Sequence, residues 1–212
     1  MDRIKQIENY VIALFKTAKG SHDWEHTKRV YNMCIHICNV EKGDLEIVQY
    51  AALLHDIGRS EEDKHLGKVS HEKLGAKMAR KILIDFKVKD EKIEQIIHCI
   101  LTHRYREATN PQTLEAKILF DADKLDAIGA IGIGRAFVFA GEVGAVVHNK
   151  NIDIKNTTSY SKEDSAYREF LVKLIKVKDR MYTDEGIRLA KDRHEFMVEF
   201  FKRINLEVEG VI

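Results

Sequence analysis

The stretch EIVQYAALLHDIGR, residues 46–59, decides the fold. Val48, Ala51 and Ala52 recur at helical spacing, and their stripe runs on to His55, with Asp56 next and Gly58 as a stop. The pattern predicts a buried helix that ends on an adjacent imidazole and carboxylate. An ionised carboxylate buried without a partner costs several kcal/mol, so an end of this kind needs a cation, several donors or a metal.

Two other segments point the same way. In GSHDWEH, residues 20–26, Asp23 is placed to cap a helix that contains His26, in line with Val30, Met33 and Ile37. The same letters spell H-x-x-E-H from His22 to His26, the inverted zinc-peptidase signature. A cap at Asp23 leaves His22 before the helix and breaks the pairing such a peptidase needs, whereas a cap at Ser21 would restore it. In EAKILFDADKLDAIGAIGIG, residues 115–134, the stripe Ala116, Leu119, Phe120 continues to Asp123 and Ala127, while Asp121 points roughly the other way. Two inward histidines and two inward carboxylates, His26, His55, Asp56 and Asp123, converge most economically on one ion.

The rest of the chain is helical by the same periodicity. Helices are expected near 2–18, 24–41, 45–57, 70–87, 90–104, 113–141, 164–182 and 184–206, with a single proline, Pro111. The fold class is all-α, a helical bundle with additional C-terminal helices. We expect one domain over residues 1–212, with the metal-binding core at about 22–126. HNKNIDIKNTTSYSKEDS, residues 148–165, reads as a polar loop, expected to be mobile without substrate and to serve as a lid. GAIGIG, residues 129–134, follows a helix and lacks dinucleotide-fingerprint spacing, so its glycines are expected to admit a neighbouring helix.

Composition excludes several classes. Lys and Arg number 35 against 34 Asp and Glu, a net charge of +1, which offers no footprint for nucleic acid or an acidic membrane. At 44% hydrophobic over 212 residues, the chain can bury a core without disulfides. Cys34, Cys38 and Cys99 lie in apolar helical patterns and are expected to be small core residues. No apolar run approaches the ~20 residues of a membrane span, and MDRIKQIENYVIALFK lacks a signal-peptide pattern, so a cytoplasmic protein is expected.

His26, the pair His55 and Asp56, and Asp123 in FDADKLDA resemble the H…HD…D signature of the HD-domain superfamily of metal-dependent phosphohydrolases. HDWEHTKRV, AALLHDIGR, IIHCILTHR and ILFDADKLDAIGAIGIGRAF are similar in particular to small bacterial HD hydrolases, among them a nucleotide pyrophosphohydrolase group. The resemblance implies a helical bundle, a divalent cation on those four residues, and hydrolysis of a phosphate ester or anhydride.

The ligand chemistry agrees. Two imidazoles and two carboxylates suit Mn²⁺, favoured here, or Co²⁺, Ni²⁺, Fe²⁺ or Zn²⁺ over a hard all-oxygen ion, with Mg²⁺ also possible. The expected reaction is attack of a metal-bound hydroxide on phosphorus, taking a nucleoside triphosphate to monophosphate and pyrophosphate. A nucleoside monophosphate phosphatase and a non-catalytic nucleotide-binding HD regulatory protein are the alternatives. Substrate phosphates are expected to meet Lys124, Arg59, His103, Arg104 and Arg29; His103 follows Ile96 and Ile100 on one face. Some HD families carry an acid three residues after the HD aspartate, where this chain has Arg59. Glu61 or Glu62 is the candidate catalytic carboxylate instead, and Asp126 could orient a ligand or pair with a cation. The expected partner is a small phosphorylated molecule, a nucleotide; monomer and homodimer both stay open.

Overall fold

The computed structural model describes residues 2–15, 23–64, 70–104 and 110–212. Among them there is no strand, and the architecture is all-α. No described helix is long and apolar enough to cross a membrane. The chain forms two compact units, Met1–Asp123 with Tyr182–Glu185, and Lys124–Met181 with Gly186–Ile212.

In the first unit, α1 (Arg3–Phe15), α2 (Trp24–Glu41) and α3 (Leu45–Leu54) pack together, and α3 also packs on α6 (Asp90–Thr102). The caps are legible. Asp23 accepts from the His26 backbone N–H at 3.0 Å, starting α2 where the sequence predicts. Asp44 caps α3 by accepting from the backbone N–H groups of Glu46 and Ile47. α3 buries Ile47, Val48 and every residue from Tyr50 to Leu54, and therefore sits at the centre of the unit. It stops at Leu54, short of the expected residue 57, because the HD pair opens a turn into the short helix α4 (Arg59–Lys64).

After that turn, α5 (His71–Asp85) passes almost backbone to backbone. A Cβ on Gly58 would lie 2.4 Å from the His71 carbonyl oxygen and 2.7 Å from the Gly75 nitrogen. Gly58 thus acts as a contact that draws the start of α5 against the HD pair, as well as a helix stop. The last helix of the unit, α7 (Leu114–Leu125), buries Ala116, Ile118, Leu119 and Phe120. It also buries Asp121, whose carboxylate accepts from the backbone N–H groups of Tyr182 and Thr183 and from the Thr183 hydroxyl. Asp121, expected to point away from the inward stripe, is instead the more buried of the two carboxylates, because α7 is covered on that side as well, with Ile118, Ala122 and Leu125 also buried; it pins the returning chain.

In the second unit, the expected helix over 113–141 is broken, with α8 (Gly129–Glu142) starting anew after α7. Gly129 has φ +76°, a left-handed conformation that a side chain resists, and a Cβ on Gly132 would lie 2.2 Å from the Ala127 carbonyl oxygen. These two glycines make the break; beside Gly129 lies the Arg193 side chain of α10 (Asp184–Val208), while Gly134 meets nothing within 4 Å. The expected helix over 164–182 divides into α9 (Ala166–Val172) and a 3₁₀ helix, Leu174–Arg180. Buried Leu174 and Val177 are three apart, the period of the tighter helix. Phe170 stacks on Phe201 with ring centroids 4.4 Å apart.

The polar segment expected to be a mobile lid carries hydrogen bonds to the helix that follows it. Arg168 is buried and donates to Thr157 Oγ1, the Thr157 carbonyl and Asp164 Oδ1, while the Tyr160 N–H reaches Asp164 Oδ2. The composition shows the segment's polarity but hides the buried guanidinium on the next helix that organises it.

Gly58→Ala should lower the denaturant midpoint by an amount equivalent to about 1–3 kcal/mol of overpacking. Gly75→Ala, whose Cβ meets its nearest atom at an ordinary 3.5 Å, should leave the midpoint unchanged or raise it by up to about 1 kcal/mol through helix propensity.

Candidate metal centre

Every side chain of the centre lies in the first unit and comes from a helix end or its first turns. His26 lies near the start of α2, His55 and Asp56 follow α3, His71 opens α5, His103 follows α6, and Asp123 lies near the end of α7. All except Asp123 are buried, and Asp123 is half-buried.

His55 shows how the rings are aimed. Its Nδ1 lies 2.8 Å from the Ala52 carbonyl, which can only accept, so Nδ1 carries the proton. Burial pushes this imidazole down to about 4, so at neutral pH the ring is uncharged and Nε2 presents a lone pair. That Nε2 lies 3.3 Å from His26 Nε2. His103 repeats the device, with Nδ1 donating to the Ile100 carbonyl at 2.6 Å and Nε2 3.3 Å from His71 Nε2. Ring centroids follow one another at 5.4, 5.3 and 5.3 Å in the order His26, His55, His103, His71.

Asp56 stands between the two pairs. Its Oδ2 lies 3.6 Å from His26 Nε2 and 3.7 Å from His55 Nε2. Its Oδ1 lies 3.4 Å from His71 Nε2 and 3.6 Å from His103 Nε2. Asp123 Oδ1 completes the first side, 3.5 Å from His26 Nε2. Two three-residue groups result, His26, His55 and Asp123, and Asp56, His71 and His103, each with ligand atoms within 4.8 Å of one another.

The donor set fits a divalent transition metal. Ligands about 2.1 Å from a tetrahedral ion are about 3.4 Å from each other, close to these separations. Imidazole nitrogens and carboxylate oxygens gathered at such range are the donors of a metal site, and a mixed N/O set is the preference of Mn²⁺, Fe²⁺, Co²⁺, Ni²⁺ or Zn²⁺.

The four expected ligands, His26, His55, Asp56 and Asp123, are thus brought together. His103, read from the sequence as a substrate contact, stands among the donors. His71 goes unread in the sequence because it opens its helix, where no preceding apolar turn marks its face; the signal available is its place directly after the cap position Ser70. Glu62 is buried and its Oε2 is 2.6 Å from His71 Nδ1. Arg59 donates to that same oxygen at 3.2 Å, and Arg104 donates to Glu62 Oε1 and to Glu72 Oε2, both at 3.0 Å. Arg59 and His71 Nδ1 are also 3.2 Å apart, a consequence of two donors sharing one oxygen. Glu72 is desolvated, yet hydrogen bonds from Ser70 and Arg104 hold its carboxyl at about 2. Glu61 is half-buried on α4 and Arg29 half-buried on α2. In the second unit, Asp126 accepts from Arg135 at 2.7 Å, and Lys124 directly follows Asp123 in the chain. His98, off the apolar face, accepts from the Gln112 N–H. His22 lies outside the described residues.

The HD domain family model matches residues 23–128. The chain belongs to the HD-domain family. This HD protein is 35% identical over 215 residues to YpgQ of Bacillus subtilis (strain 168), across 100% of its own length and 96% of that protein. It is similar to the crystal structure of B. subtilis YpgQ in complex with ADP, with TM-score 0.75, 32% identity, and 97% and 94% of the two chains covered. It is also similar to an HD-superfamily hydrolase from Bacillus thuringiensis, with TM-score 0.77, 29% identity, and 98% and 97% covered.

Neighbouring carboxylates on α7 should separate function from stability. Asp123→Ala should lose bound metal in elemental analysis while the metal-free melting temperature stays close to wild type. Asp121→Ala should keep its metal and lose about 2 kcal/mol or more of stability, because the Tyr182 and Thr183 donors are stranded.

Proposed function

We propose that the chain is a metal-dependent phosphohydrolase that takes a nucleoside triphosphate to the monophosphate and pyrophosphate, working in the cytoplasm with Mn²⁺ favoured. The observation that carries the reading is Asp56, whose two oxygens each face two imidazole Nε2 atoms at 3.4–3.7 Å. Such a carboxylate suits two cation places: His26, His55 and Asp123 on one side, His71 and His103 on the other. The H…HD…D pattern by itself suggests one place.

Divalent cations bound there supply Lewis acidity, drawing charge from a phosphoryl oxygen and acidifying water. The protein's own part is placement. Ala52 and Ile100 carbonyls hold the rings of His55 and His103 with Nε2 turned inward, so little reorganisation accompanies binding. The nucleotide class is supported by ADP in the similar YpgQ structure. Lys124, which directly follows Asp123 in the chain, is our first candidate for the outer phosphates. Arg59 and Arg104 are balanced by Glu62 and Glu72, so a phosphate would have to compete with those carboxylates to engage them. Of the three expected catalytic carboxylates, Glu62 faces His71 and Asp126 faces Arg135, while Glu61 stays a candidate to handle a proton on its place in α4, shortly after the HD pair.

Chromatography of the products from one nucleoside triphosphate tests the bond assignment. Monophosphate and pyrophosphate in equal amounts are expected. Accumulating diphosphate would contradict it, nucleoside released from monophosphate without pyrophosphate would make the protein a phosphatase, and bound metal without turnover would favour a regulatory protein.

A further inference from the structure

The three imidazoles whose Nδ1 partner is known do not share one kind of acceptor. His55 and His103 each donate Nδ1–H to a backbone carbonyl in the turn just before them. His71 instead places Nδ1 2.6 Å from the Glu62 carboxylate, nine residues earlier in the chain. A carbonyl in the local turn comes with the helix end, whereas a carboxylate from another element has to be delivered and held. Both are done: Glu62 lies on α4, shortly after the HD pair, and Arg59, three residues before it, and Arg104, 42 residues after it, each hold one of its two oxygens.

The simpler reading is a buried ion cluster that stabilises the fold. Two carboxylates and two guanidiniums are already balanced, and such a cluster has no electrostatic need of an imidazole. Yet the shortest contact of Glu62 is to His71, at 2.6 Å, against 3.0 and 3.2 Å to the arginines. The far nitrogen of that imidazole is 3.4 Å from Asp56 Oδ1 and 3.3 Å from His103 Nε2. A neutral imidazole has two tautomers, and only the one protonated at Nδ1 offers Nε2 as a ligand. An anionic acceptor at Nδ1 selects that tautomer, fixes the ring plane and makes Nε2 a better donor to a metal.

We propose that Glu62 is a positioning residue for the second cation place, holding His71 as the Nδ1–H tautomer with its Nε2 turned to Asp56. The proposal rests on the reading of two cation places and goes beyond it by assigning Glu62 to one of them. Arg59 and Arg104 keep that carboxylate in place. The carboxylate read from the sequence as a catalytic candidate therefore acts through a ligand and has no contact role with substrate.

The test uses the full chain stripped of metal, in wild-type and Glu62→Gln forms. Two measurements are made: calorimetric titration with Mn²⁺, and the ¹⁵N chemical shifts of the His71 ring before metal is added. Wild type should take two equivalents and show His71 protonated at Nδ1. Glu62→Gln should keep the tighter equivalent at wild-type affinity, weaken the other about 10- to 100-fold, and show His71 as a tautomer mixture. Two equivalents at wild-type affinity with an unchanged tautomer would overturn the proposal. Equal weakening of both, with a lowered melting temperature, would overturn it in favour of a structural cluster. If wild type takes a single equivalent, the two-place reading falls, and the proposal falls with it. Should Glu62→Gln fail to fold, the wild-type spectrum still decides, since His71 protonated at Nε2 contradicts the assignment outright.

Discussion

The carboxylate of Asp56 faces four imidazoles, two on each oxygen, and the first unit is arranged around that meeting. At least one of those rings, His55, is neutral at ordinary pH because burial favours its uncharged form. Imidazole nitrogens and carboxylate oxygens gathered at 3.3–3.7 Å are a polar cluster inside an apolar unit. The apolar packing of α3 against α1, α2 and α6 holds these polar groups together. A site of this kind would be preorganised for a metal, since helix packing already brings the candidate ligands together.

Helix ends explain the site's placement. A side chain in the body of a buried helix faces its neighbours, but the last turn leaves carbonyls without intrahelical partners. His55 and His103 use those carbonyls to orient their rings, so one feature satisfies the backbone and aims the ligand. The close passage at Gly58 then brings the start of α5, with His71, to the other side of Asp56. Asp121 does a different task two residues away from Asp123, clamping Tyr182 and Thr183 so that the chain closes the unit.

Much of this is legible in the sequence where the signal is periodic. His26, His55 and Asp123 continue apolar stripes and are found by counting, and the Asp23 cap settles which histidine of H-x-x-E-H is inside the helix. His71 is not found that way, since it precedes the stripe of its own helix and its partners are 9, 15 and 32 positions away, at Glu62, Asp56 and His103. The break before Gly129 is hidden for a related reason. The apolar period runs through it, and only the positive φ of one glycine shows that the chain turns. Arg168 is an exception to the habit of arginine to lie at the surface, so the segment it organises reads as an unattached loop. Long-range polar contacts leave no periodic trace, and it is these that the sequence conceals.

The central claim is that one carboxylate is shared by two cation places, and electron paramagnetic resonance of the Mn²⁺-saturated protein tests it most directly. The account predicts an exchange-coupled signal from paired ions in the wild type, lost in Asp56→Ala. An isolated-ion hyperfine pattern from the wild type at saturating Mn²⁺ would contradict it.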